Sequence, residues 1–159
     1  MITNHQSLTP EWIEHYVLSH FEGLIALETY GEKTFFYNPT NTLPRGIYFC
    51  TIKSHDGPHD TASNLSRPGV FRMNWQVSPP LFLKLFGKVP QRPTKGNVIE
   101  GNYDFTQLGI LTPHPVYGWM RWVSVLNPTP SLWRQIEEML QESYALCIIK
   151  YTQKIKKNN

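Results

Sequence analysis

Val70-Phe71-Arg72-Met73-Asn74-Trp75-Gln76-Val77 alternates without a break. In an extended chain Phe71, Met73, Trp75 and Val77 share one face, while Val70, Arg72, Asn74 and Gln76 share the other, because successive strand side chains point to opposite sides. The apolar face belongs to a core. The other face sets Arg72, Asn74 and Gln76 side by side as a polar row, which can serve as a binding floor or as solvated surface.

Working outward, Leu24 to Thr29 and Lys33 to Tyr37 read as two strands joined through Tyr30-Gly31-Glu32, where Gly31 can take the positive φ of a hairpin turn. Ile47 to Ile52 is rich in β-branched and aromatic residues and predicts a third strand. Met120 to Leu126 predicts another. Helices bracket the strands. Thr9-Pro10-Glu11 combines an amide acceptor, a residue suited to the first helical position and a favourable charge. A helix over about 10–21 follows, with Trp12, Ile13, Tyr16, Val17 and Phe21 on one stripe. Ser78-Pro79 opens a short helix that Gly87 can close. Thr129-Pro130 starts a last helix to about Cys147, with Leu132, Ile136, Met139, Leu140 and Tyr144 inward. Lys88 to Asn97 predicts a mobile loop, and the polar tail over 150–159 predicts a frayed end. Strands and helices in these proportions give an α+β chain.

At 159 residues one domain over 1–159 is the expectation, and a chain of this length buries roughly 70% of its unfolded surface. Aromatics at 13% and charged residues at 17% argue against disorder and against a coiled coil. The net charge of +3 is uneven, since residues 53–134 hold nine Lys or Arg against four Asp or Glu. That surplus could favour an anionic partner but falls short of the dense basic stripe of nucleic-acid binding. Cys50 and Cys147 sit among apolar neighbours and read as buried free thiols. No signal-like start and no apolar run near 18 residues occurs, so a soluble cytoplasmic protein is expected. An exposed sheet edge could support a homodimer.

Trp122-Val123-Ser124-Val125-Leu126, a Pro-rich turn, a helix and then Glu142-Ser143-Tyr144 resemble the C-terminal signature of the YjbR/MmcQ-like proteins. Phe35-Phe36-Tyr37-Asn38-Pro39, the run from Ser63 to Asn74, and Pro113-His114-Pro115-Val116-Tyr117 resemble an uncharacterised bacterial domain family beside them. The resemblance implies a two-layer α+β sandwich, an antiparallel sheet of about five to six strands with helices on one face. It carries no established activity, cofactor or catalytic residue. DNA binding, an idea attached to YjbR-like proteins, would need a basic helix that this chain lacks.

Candidate chemistry gathers between His55 and Trp75. The repeated pairs His55-Asp56 and His59-Asp60 are ligand types for zinc, iron or manganese, but Gly57-Pro58 between them breaks the helix that would align them. His55, Asp56 and His59 are therefore metal candidates only if a loop converges them, and turn-forming roles are the alternative. Arg67 and Arg72 offer planar forks for a carboxylate or phosphate, with pairing of Arg67 to Asp60 or Asp56 as the structural alternative. His114, between Pro113 and Pro115 and followed by Tyr117, is a stiffly presented candidate acid or base. No nucleophile elbow, phosphate loop or zinc-protease motif is present. Two functions follow. One is a binding module that holds an anionic small molecule or a partner protein through Arg67, Arg72, Asn74, His114 and Tyr117. The other is a metal-dependent or His-assisted hydrolase-like enzyme using His55, Asp56, His59 and His114. No cofactor is expected.

Overall fold

Thr9 caps the first helix as its hydroxyl chemistry predicts, accepting from the Trp12 amide at 3.1 Å. The computed structural model describes residues 7–29 and 31–158. Its elements run α1 (Pro10–His20), β1 (Leu24–Thr29), β2 (Glu32–Tyr37), β3 (Ile47–Lys53), β4 (Arg72–Gln76), α2 (Pro79–Phe86), β5 (Thr112–Pro113), β6 (Trp122–Leu126) and α3 (Pro130–Asn158). The strands form one sheet in the order β1-β2-β3-β4-β6-β5, with each neighbouring pair antiparallel.

The β1–β2 hairpin forms where expected, with Thr29 opposite Glu32 and Gly31 at φ 74°; Tyr30 of the expected turn lies outside the described residues. The alternation over 70–77 yields a ladder over 72–76, and the strand expected from Met120 begins at Trp122. Gly118–Met120 close a 3-10 turn instead, with Arg121 at φ 68°. β5 is a strand that no alternation announced. Its Pro113 lacks an amide proton, which an edge position tolerates.

Helices cover one side of the sheet. Ile13 and Val17 of α1, Phe82 of α2, and Trp133, Ile136, Met139, Leu140 and Cys147 of α3 pack with Phe35, Cys50, Ile52, Met73, Trp75, Val123 and Val125. Both cysteines are buried free thiols. The resulting architecture is the α+β sandwich expected, with six strands.

One expectation is corrected. α3 continues past Cys147 to Asn158, because Tyr151 sets its ring 5.3 Å from that of Tyr37 and its hydroxyl 2.6 Å from that of Thr40. Lys154, Lys156 and Lys157 are good helix formers and sit at the negative end of the helix dipole. The stretch from Lys88 to Asn97, expected as a loop, contains no helix or strand, and the Arg92 guanidinium lies 4.9 Å over the Trp119 ring beside the 3-10 turn. Among the described residues, no helix is long and apolar enough to cross a membrane.

Candidate functional site

On the face away from the helices, the register lines up polar residues across five strands. Thr34, Thr51, Asn74, Ser124 and Thr112 stand opposite one another in one row, and all five are buried. The neighbouring row brings Glu32, Lys53 and Arg72 together. A bulge adds Tyr48 to this face. The β2–β3 register shifts between Phe35 and Phe36, so Cys50 pairs with Phe35 while Tyr48 pairs with Phe36. The extra residue, Phe49, joins Cys50 in the core. Tyr48, Thr51 and Lys53 therefore share one face, which simple alternation forbids.

Arg72 is fully buried. Its Nη1 donates to Asp60 Oδ1 at 2.9 Å and to Ser63 Oγ at 3.0 Å, its Nη2 donates to Asp60 Oδ2, and its Nε donates to Asn74 Oδ1 at 2.9 Å. A two-pronged Arg–carboxylate contact of this kind is the strong form of ion pair. Asn74 extends the network, accepting from Ser124 Oγ at 2.6 Å and donating to Thr51 Oγ1 at 2.8 Å. Asp60 is presented by a tight loop in which Gly57 and Asp60 exchange backbone hydrogen bonds of 3.1 and 3.2 Å. Burial pushes the Asp60 carboxyl up, but the hydrogen bonds and charge of Arg72, with Lys53 adding to them, hold it below the ordinary 3.8. The pair is ionised.

His114 is reached from the far edge of the sheet. Its Nδ1 accepts from the amides of Val116 at 3.0 Å and Tyr117 at 3.1 Å. An amide can only donate, so Nδ1 carries a lone pair and the proton of the neutral ring sits on Nε2. Burial, then the charge of Arg72, with Lys53 adding and Asp60 opposing, holds His114 well below the ordinary 6.5, so the ring is neutral. Nε2 lies 3.2 Å from Arg72 Nη2. With this tautomer both atoms are donors, and neither satisfies the other.

Beside these groups opens a cavity of about 480 Å³. Glu32, Lys53, Asn74, Asp60 and His114 form its polar part, and Tyr48, Tyr117, Met120 and Trp122 its apolar walls. Lys53 is 9% exposed, lines this cavity, and makes no ion pair or hydrogen bond among the described residues. Its Nζ lies 3.2 Å from where a Cβ on Gly57 would stand, so the glycine makes room for the ammonium under the loop. Burial raises the carboxyl of Glu32 above its ordinary 4.5, with Lys53 the first opposing influence.

The sequence candidates divide. Arg72, Asn74 and His114 converge, Tyr117 stands at the mouth with its ring 5.0 Å from that of His114, and His59 lines the same cavity. Arg67 lies elsewhere. It donates to the carbonyls of Asn64 at 3.0 Å, Ser63 at 3.1 Å and Thr106 at 2.8 Å, and borders a separate cavity of about 450 Å³ together with His55. Its expected pairing with Asp60 or Asp56 does not form, because Asp60 takes Arg72 and Asp56 accepts from the Leu65 amide at 2.8 Å. Gln76 leaves the polar row for the Met120 carbonyl and Lys150. Among the described residues no three His, Cys, Asp or Glu side chains are grouped to hold a metal ion.

The chain belongs to DUF6194, a family of unknown function whose model matches residues 8–156. No curated protein and no solved structure matches it. In this DUF6194 chain the signature residues of the last helix serve packing. Glu142 accepts from the Ser78 amide at 2.9 Å, Ser143 is buried, and the Tyr144 hydroxyl donates to the Glu22 carbonyl. Lys53, Glu32, Tyr48 and Trp122 are the cavity residues that sequence reasoning missed. The charges of Lys53 and Glu32 at strand ends were visible, but the bulge that brings Tyr48 onto the face of Lys53 has no sequence signal short of the third dimension.

Proposed function

We propose that this domain holds a small anionic molecule in the cavity on the loop-covered face of its sheet. The observation that carries the reading is Lys53, a cation that is nine-tenths buried at a cavity wall and has no ion pair or hydrogen bond among the described residues. The ammonium of this buried side chain opens on the cavity, where a ligand can reach it, and Arg72, the other cation of the site, already has Asp60. An anion from outside would complete Lys53 and accept from His114 Nε2. In this reading Arg72 and Asn74 are positioning residues, and Tyr117 closes the mouth.

A concave cavity of about 480 Å³ suits a small molecule better than a partner protein, which meets a broader and flatter surface. The carboxyls of Asp60 and Glu32 beside Lys53 speak against a nucleic-acid backbone. The hydrolase alternative finds less support, because the only lone pair of neutral His114 is occupied by two backbone amides and leaves no site to take up a proton. Kinship with the YjbR/MmcQ-like proteins belongs to the same proposal and rests on the Trp122–Leu126 strand and the Glu142-Ser143-Tyr144 helix end.

A thermal-shift panel of carboxylates and phosphates tests the reading. At least one anion should raise the melting temperature of the native chain and leave Lys53→Met unmoved. Silence across the panel, or equal shifts in both proteins, would remove the proposal.

A further inference from the structure

We infer that the anion taken by this cavity is a monocarboxylate attached to a flat aromatic body. The inference rests on the anion-binding reading above and narrows it by three observations. The first is the supply of donors. Four of the five N–H groups of Arg72 are taken by Asp60, Ser63 and Asn74, so the guanidinium has no fork to offer a ligand and the cation left facing the cavity is the Lys53 ammonium. One ammonium matches the single charge of a carboxylate. A phosphate dianion, with three oxygens and about twice the charge, asks for the Arg forks or amide nests that phosphate sites use.

The second observation is charge. Asp60 is held ionised by Arg72, and Glu32 borders the same cavity. A second negative charge on the ligand would meet these carboxyls at close range, whereas one charge is matched by Lys53. Like charges brought together in a partly desolvated site are strongly disfavoured.

The third observation is the walls. Tyr48 and Tyr117 are about half exposed despite lining a concavity, and Trp122 meets Tyr48 edge-on with centroids 6.4 Å apart. Aromatic rings left open in a hollow offer faces and edges for another ring. Acid group and ring would then lie against opposite parts of one cavity: the acid at Lys53 and His114, the ring at Tyr48 and Trp122.

The test is calorimetric titration of the full chain at pH 7 with indole-3-acetate, acetate, phenyl phosphate and tryptamine, repeated with Lys53→Met and Trp122→Leu. Indole-3-acetate should bind at least ten-fold tighter than acetate or phenyl phosphate. Lys53→Met should lose at least ten-fold, and Trp122→Leu about five-fold. Amide chemical shifts in the native chain should move at Thr51 to Lys53 and at Val116 and Tyr117, which locates the site even if a variant fails to fold. Phenyl phosphate binding as tightly, with loss in Lys53→Met, overturns the carboxylate and leaves the anion reading standing. Acetate binding as tightly overturns the aromatic body alone. If tryptamine is preferred, if indole-3-acetate binds equally well to Lys53→Met, or if none of the three anions binds, both readings fall.

Discussion

Arg72 and His114 show how much of this site depends on single atoms. Arg72→Met leaves the Asp60 carboxylate without its fork and Asn74 Oδ1 without one donor. Breaking one side of a buried pair costs about 3–5 kcal/mol, and urea denaturation should read a loss of that size. Asp60→Asn together with Arg72→Met should cost less than the sum of the two single changes, because the second change no longer strands a charge. His114 sets the pH response. Its folded-state value lies well below 6.5, so the unfolded chain takes up a proton on acidification while the folded chain does not. Its contribution is therefore present above pH 6.5 and is lost as pH falls below it, by up to about 1.4 kcal/mol per pH unit. Asp60 has the same sign in a lower window, since its lowered carboxyl loses its contribution as pH falls below 3.8. Glu32 has the opposite sign, because its raised carboxyl takes up a proton first in the folded chain. His114→Asn keeps an acceptor for the amides of Val116 and Tyr117 and removes the titrating ring. Stability measured from pH 6.5 to 5.5 should fall less steeply in this variant than in the native chain, and Glu32, present in both, cancels from the comparison.

At the scale of elements, the signals that worked were local. Thr9, Ser78 and Thr129 each accept from the amide three residues on, at 3.1, 3.4 and 3.3 Å, as Thr-Pro and Ser-Pro helix starts predict. Thr9→Ala should cost about 1 kcal/mol in chemical denaturation. The end of α3 was less legible, because its apolar stripe thins to Tyr151 and Ile155 among lysines and its anchor is the distant ring of Tyr37. Shortening the chain after Thr152 should cost less than about 0.5 kcal/mol. Shortening it after Lys150, which also removes Tyr151, should cost about 1–2 kcal/mol by the same measurement. The bulge in β3 was illegible for a different reason. Ile47-Tyr48-Phe49-Cys50-Thr51-Ile52-Lys53 reads as a strand with any phase, and only pairing with β2 fixes which residues turn inward.

For the whole molecule, a ligand bound to the folded state alone raises stability by about 2.7 kcal/mol at a hundred times its dissociation constant. In a domain of this size that corresponds to a melting temperature higher by roughly 5–10 °C, and the rise should vanish in Lys53→Met. The amino-acid sequence by itself determined the α+β class, the positions of the helices and most strands, the burial of Phe71, Met73 and Trp75, and the polar row of Arg72 and Asn74. These follow from periodicity and capping, which act over a few residues. Only the tertiary structure decided that the polar row is roofed rather than solvated, that Asp60 and not Arg67 belongs to it, and that Lys53 faces a cavity with Tyr48 and Trp122. Those outcomes depend on contacts between segments far apart in the chain, such as Arg72 with His114, 42 residues away. Burial of a charge is decided by which partners the packed chain brings within reach, and no local pattern carries that information.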